Sequence, residues 1–85
     1  MREFNFGNNL KAIRKSNGMT QAQVVDILGC SKNKYASWEQ GRTQPDITSI
    51  RQLCYIFGVS ADELFDIDVH DANFKKEFEY LDHKN

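Results

Sequence analysis

GCSKNKYASWEQGRTQPD, residues 29–46, is the stretch on which the reading of this chain turns. Ser31 is a helix N-cap type set directly after Gly29-Cys30, and Gly41 and Pro45 punctuate the far end. Advancing by about 100° per residue places Lys32, Asn33, Ala36, Ser37 and Gln40 within an arc of roughly 140°, with Tyr35 and Trp38 on the opposite side. A merely solvated face would ordinarily carry long Glu and Lys side chains in i,i+4 pairs. This one carries small and amide side chains that let another surface come close. The helix over 31–40 therefore has one face for packing and one for reading.

The flanking sequence supplies more short helices. Phe6, Leu10 and Ile13 fall at i, i+4 and i+7, which predicts an amphipathic helix over residues 6–16, ended by Asn17-Gly18. Thr20, with Gln23 three residues later, reads as a capping box for a helix over 21–28. Its expected apolar stripe is Val24, Ile27 and Leu28, and Gly29 is its left-handed stop. Only a short turn separates this helix from the one that Ser31 opens. Asp46 caps a fourth helix whose expected stripe is Ile47, Ile50, Leu53, Cys54 and Phe57, ended by Gly58; Ser60 caps a short fifth one over 61–65. Alternation never persists over four residues before residue 66, so the fold class is all-α: a compact five-helix domain.

Residues 67–85 differ in character. They are acidic, and Phe74, Phe78 and Leu81 recur at helical spacing, so a sixth helix forms there if that stripe finds a surface; the alternative is a disordered acidic tail. The expected division is a domain over 1–66 and an acidic extension over 67–85.

At 85 residues the chain holds one modest core. The length argues against a separate domain for chemistry or for a small-molecule ligand. Its net charge of −1 hides an asymmetry: residues 1–42 hold seven Lys/Arg against three Asp/Glu, whereas residues 43–85 hold four against nine. The first half is thus the one suited to a polyanion. Cys30 and Cys54 form no CxxC, and His70 and His83 lie near the end, so no metal spacing is present and no cofactor is expected. The two cysteines read as packed, reduced thiols. MREFNFGNNLKAIRK is polar from the start, which predicts a cytoplasmic protein with no membrane partner. No nucleophile with a base or carboxylate pair is recognisable, and Ser31 and Ser60 are caps first; an enzyme is not expected.

The stretch TQAQVVDILGCSKNKYASWEQGRTQPD is similar to the helix-turn-helix of the phage repressor and Cro-type DNA-binding family. FGNNLKAIRKSNGMT resembles that family's first helix, and IRQLCYIFGVSADELF its fourth and fifth, so the likeness covers residues 5 to 66. It implies that the 31–40 helix enters the major groove of double-stranded DNA, that the 21–28 helix lies across the backbone, and that a homodimer reads two half-sites, with the fourth and fifth helices near the two-fold axis. On that footing Lys32 donates to guanine O6/N7, Asn33 pairs with adenine, Ser37 serves either, and the Ala36 methyl meets a thymine methyl. Gln21, Lys34, Gln40 and Arg42, with the backbone amides around Thr43 and Gln44, are placed for phosphates. The resemblance further implies an ion pair between Arg14 and Glu39, structural in role; otherwise both are exposed charges.

Two residues depart from the family pattern. Val25 stands where Ala is usual at the closest approach of the second and third helices, and Cys30 where Val is common; the smaller side chain is expected to make room for the larger. Tyr35 and Trp38 are expected in the core, with the Tyr35 hydroxyl as an alternative phosphate contact. Small controller proteins of restriction-modification systems and prophage Cro-like and repressor-like proteins are similarly short. Two functions compete: a sequence-specific DNA-binding transcription regulator, and an antitoxin-like or adaptor module that uses the same fold for protein contacts.

Overall fold

The computed structural model describes residues 5–67. It contains α1 (Phe6–Ser16), α2 (Gln21–Leu28), α3 (Lys32–Glu39), α4 (Ile47–Phe57) and α5 (Ala61–Leu64), with no strand among the described residues. The all-α expectation therefore holds. The helix expected around Phe74, Phe78 and Leu81 lies outside the described residues, as does nearly all of the 67–85 extension.

Each helix starts where a short polar side chain takes up an amide that has no partner within the helix. Asn5, Thr20, Ser31, Asp46 and Ser60 accept from the amides of Asn8, Gln23, Lys34, Ser49 and Glu63 at 2.9–3.2 Å. Thr20 and Gln23 close the reciprocal box, the Thr20 amide donating to Gln23 Oε1 at 2.8 Å. Caps of this kind contribute about 1 kcal/mol each, a large share for helices only one to three turns long. Gly29, at φ 72°, ends α2 as expected, and its amide donates to Val25 O at 2.8 Å.

The core draws on every helix: Leu10 from α1, Val24 from α2, Tyr35 and Trp38 from α3, Leu53 and Phe57 from α4, and Leu64 from α5. Tyr35 and Trp38 meet edge to face with centroids 5.7 Å apart, and Phe65 instead sets its ring 5.6 Å from Phe6. Val25 and Cys30 are both half-buried against this core.

Two expected stripe residues face outward. Ile27 is 62% exposed, because the arc of α2 turned to the core is centred on Val24, Leu28 and Val25, leaving Ile27 beyond its edge. Ile47 is 78% exposed: it occupies the first turn of α4, on the side away from Leu53 and Phe57.

Candidate nucleic-acid interface

α3 is held from behind by its two aromatic residues and by a buried ion pair. Arg14 Nε donates to Glu39 Oε2 at 2.7 Å and Nη2 to Glu39 Oε1 at 3.1 Å, so the guanidinium grips the carboxylate with two parallel bonds. The side chains are only 9% and 3% exposed. Arg14 and Glu39 thus form a buried ion pair between α1 and α3, and neither is a surface charge. The remaining polar capacity is also used, with Arg14 Nη1 donating to Met19 O at 2.8 Å and Gln21 Nε2 donating to Glu39 Oε1 at 3.0 Å.

The electrostatics follow from this geometry. Burial works to raise the Glu39 pKa, but the hydrogen bonds from Arg14 and Gln21 outweigh it and hold the carboxyl below its ordinary range. The Arg14 guanidinium is pushed up, chiefly by its hydrogen bond to Glu39. Burial first, and then the Glu39 charge, push the Tyr35 hydroxyl up. Tyr35 is fully buried, and its Oη feels the neighbouring charges without meeting hydrogen-bond geometry with any described residue. The alternative in which it reaches a phosphate is excluded by that burial.

The backbone makes the other clamp on α3. An alanine-like Cβ at Gly7 would lie 2.4 Å from Glu39 O and 2.7 Å from Trp38 O, so α1 and the end of α3 touch backbone to backbone. Beyond α3, Gly41 at φ 76° turns the chain: its amide donates to Trp38 O at 3.2 Å and the Arg42 amide to Ser37 O at 3.0 Å. This Schellman turn satisfies the last carbonyls of α3 and leads Arg42, Thr43 and Gln44 along its end. A small cleft of about 220 Å³ there is lined by Asn5, Gly7, Trp38, Gly41, Thr43 and Gln44.

The expected reading and phosphate residues separate into two groups. Lys32, Asn33, Lys34, Gln40, Arg42, Thr43 and Gln44 are exposed, whereas Ala36, Ser37 and Gln21 are half-buried. Ser37 Oγ donates to Asn33 O at 3.0 Å, leaving its lone pairs for an incoming donor. The Thr43 amide is drawn towards Ser37 O at 3.4 Å, and Gln21 commits one amide hydrogen to Glu39.

Three contributors escaped the sequence reading. Gly7 left one signal, a glycine inside an otherwise helical pattern. Asn9, whose Nδ2 donates to Leu64 O at 2.7 Å and Glu63 O at 3.1 Å to tie α5 to α1, left none, and neither did the Met19 carbonyl. Among the described residues no cluster of three or more His, Cys, Asp or Glu could hold a metal, and no helix is long and apolar enough to cross a membrane.

A short capped helix, propped outward by a buried ion pair and preceded by a two-turn helix across a tight turn, defines a helix-turn-helix protein. Residues 5–65 match the helix-turn-helix domain family, and the chain belongs to it. Its relatives include the SPbeta prophage-derived HTH-type transcriptional regulator YonR of Bacillus subtilis, 37% identical over 70 residues that cover 74% of this chain and 65% of that protein. The HTH-type transcriptional regulator YqaE of the same organism is 32% identical over 85% of this chain and 62% of its own length. The chain thus spans a little under two thirds of either relative. Antitoxin PezA of Streptococcus pneumoniae is 33% identical over 64% of this chain and 34% of that protein. A crystal structure of a transcriptional regulator from Listeria innocua matches 99% of this chain and 81% of its own with a TM-score of 0.69 at 25% identity.

Proposed function

We propose that this chain is a cytoplasmic, sequence-specific transcriptional repressor that binds a palindromic operator in double-stranded DNA as a homodimer, without a cofactor or small-molecule effector. One observation carries the reading: Lys32, Asn33 and Lys34 project from the capped start of α3, while the rest of that helix is locked to α1 by the Arg14–Glu39 pair. A reading helix must arrive at the groove already oriented, and this support provides it. Lys32, Asn33, Ala36 and Ser37 read bases; Gln21, Lys34, Gln40, Arg42, Thr43 and Gln44 hold phosphates. The naming of the Bacillus relatives as transcriptional regulators supports the same reading.

Selection of bound duplexes from a random pool tests it, since enrichment must yield an inverted repeat with half-sites about one helical turn apart. On the selected site Asn33→Ala should cost about 1–3 kcal/mol and flatten preference at one base pair, whereas Arg42→Ala should weaken all sequences alike and lower the salt slope by about one. Equal behaviour of the two variants across operator changes would refute the division of roles. A second reading, protein contact in an antitoxin-like module, is favoured by the PezA likeness and by the acidic second half. Failure to bind any duplex at low salt would select it.

A further inference from the structure

The cleft at the end of α3 holds a donor that the described fold leaves unused. Trp38 is only 2% exposed, and buried polar groups ordinarily find a partner. Yet of the side-chain donors on α3 only Ser37 Oγ meets an acceptor among the described residues, so the Trp38 indole N–H has none there. The one unpartnered side-chain atom sealed from solvent among the described residues is Tyr35 Oη. The Trp38 nitrogen is therefore not sealed. The surface onto which this side chain opens is the cleft it lines with Asn5, Gly7, Gly41, Thr43 and Gln44.

The ring is not free to swing to another acceptor. Its edge-to-face contact with Tyr35, centroids 5.7 Å apart, holds one side, and its backbone carbonyl is pressed against Gly7, where a Cβ would come within 2.7 Å. Around it the cleft is built of donors. Asn5 Oδ1 accepts from the Asn8 amide at 2.9 Å, which leaves the Nδ2 hydrogens of Asn5 for an outside acceptor. Exposed Thr43 and Gln44 add a hydroxyl and a carboxamide, and exposed Arg42 stands next to them in the chain. No lining residue is acidic, and the first turn of α1, which forms one wall, holds no Asp or Glu against the positive end of the helix. Such a set selects an acceptor with negative charge. At about 30 Å³ per water-sized group, the 220 Å³ of the cleft takes about seven, enough for the five heavy atoms of a phosphate.

We propose that this cleft is a phosphodiester pocket of the DNA interface, with the Trp38 indole N–H as the donor at its floor. The inference rests on the DNA reading of the proposed function and adds to it a residue whose ring packs in the core while its N–H faces the ligand. A phosphate seated there ties the duplex backbone to the end of α3 and to the start of α1 together. It fixes the reading helix in register without discriminating bases.

Trp38 is the sole tryptophan of the chain, so the full-length protein gives one indole signal in a proton–nitrogen correlation spectrum. Titration with a mixed-sequence duplex at low salt should move that signal downfield, in step with duplex binding followed by fluorescence anisotropy. Replacing the Trp38 indole by its benzothiophene isostere keeps the bicyclic ring and removes the N–H. With the melting temperature unchanged, that protein should bind every duplex about tenfold more weakly, the lower end of what a hydrogen bond to a charged group contributes. An indole signal that stays still while anisotropy reports bound duplex, or an isostere that binds as well as the natural side chain, overturns the proposal and leaves the DNA reading standing. A signal that moves with inorganic phosphate at matched ionic strength but not with duplex overturns it in favour of a free anion. Absence of duplex binding at low salt refutes the DNA reading and this pocket with it.

Discussion

Gly7→Ala isolates the backbone contact that sets α1 against α3. The added methyl would lie 2.4 Å from Glu39 O and 2.7 Å from Trp38 O, and both partners are backbone atoms that no side-chain rotation can move. Even a close carbon–oxygen contact requires about 3.3 Å, so the start of α1 must retreat from the end of α3 by about 1 Å. Overpacking of this kind costs about 1–3 kcal/mol, and a carbonyl at this distance belongs near the upper end. Alanine returns about 0.5–1 kcal/mol through its better helix propensity. The net loss is about 2 kcal/mol, or about 8–16 °C in Tm for a domain of this size. Thermal melting followed by far-UV circular dichroism reads it directly. Asn8→Ala, at an exposed neighbouring position, is the control and should stay within about 0.5 kcal/mol. An unchanged or raised Tm for Gly7→Ala would refute the close crossing and the account of how α3 is held.

The ion pair yields two further tests. Arg14→Met leaves the Glu39 carboxylate buried without its main partner and should cost about 3–5 kcal/mol in urea unfolding, while the double change with Glu39→Leu should recover most of that loss; a double variant no better than the single one would show the pair is not coupled. Acid should weaken the fold through the same carboxyl. Its native pKa lies below the ordinary 4.5, so its contribution is whole above pH 4.5 and is lost as the pH falls through the lower native value. The wild-type urea midpoint should therefore fall more steeply on acidification than that of Glu39→Gln, and parallel pH profiles would contradict the depressed pKa.

Local chemistry wrote the helix boundaries into the chain. Thr20, Ser31, Asp46 and Ser60 cap in the structure as their types and positions predict, because a cap bond spans three residues and needs no distant partner. Leu10, Leu53 and Phe57 were likewise legible from helical period. Ile27 and Ile47 were not, since period identifies an apolar arc but neither its centre nor how far the neighbouring helix extends over it.

The candidate interface divides the same way. That Lys32, Asn33, Ala36, Ser37 and Gln40 share a face free of aromatic residues followed from spacing alone, and the Arg14–Glu39 pair was suggested only by resemblance. Its burial, the recruitment of Gln21 and the Met19 carbonyl, the tie from Asn9 to α5, and the need for glycine at position 7 were decided by tertiary structure. Each depends on the distance between atoms far apart in the chain, and that distance is set by how helices cross. A sequence specifies its nearest-neighbour bonds residue by residue, but a contact between α1 and α3 exists only once the whole core has packed.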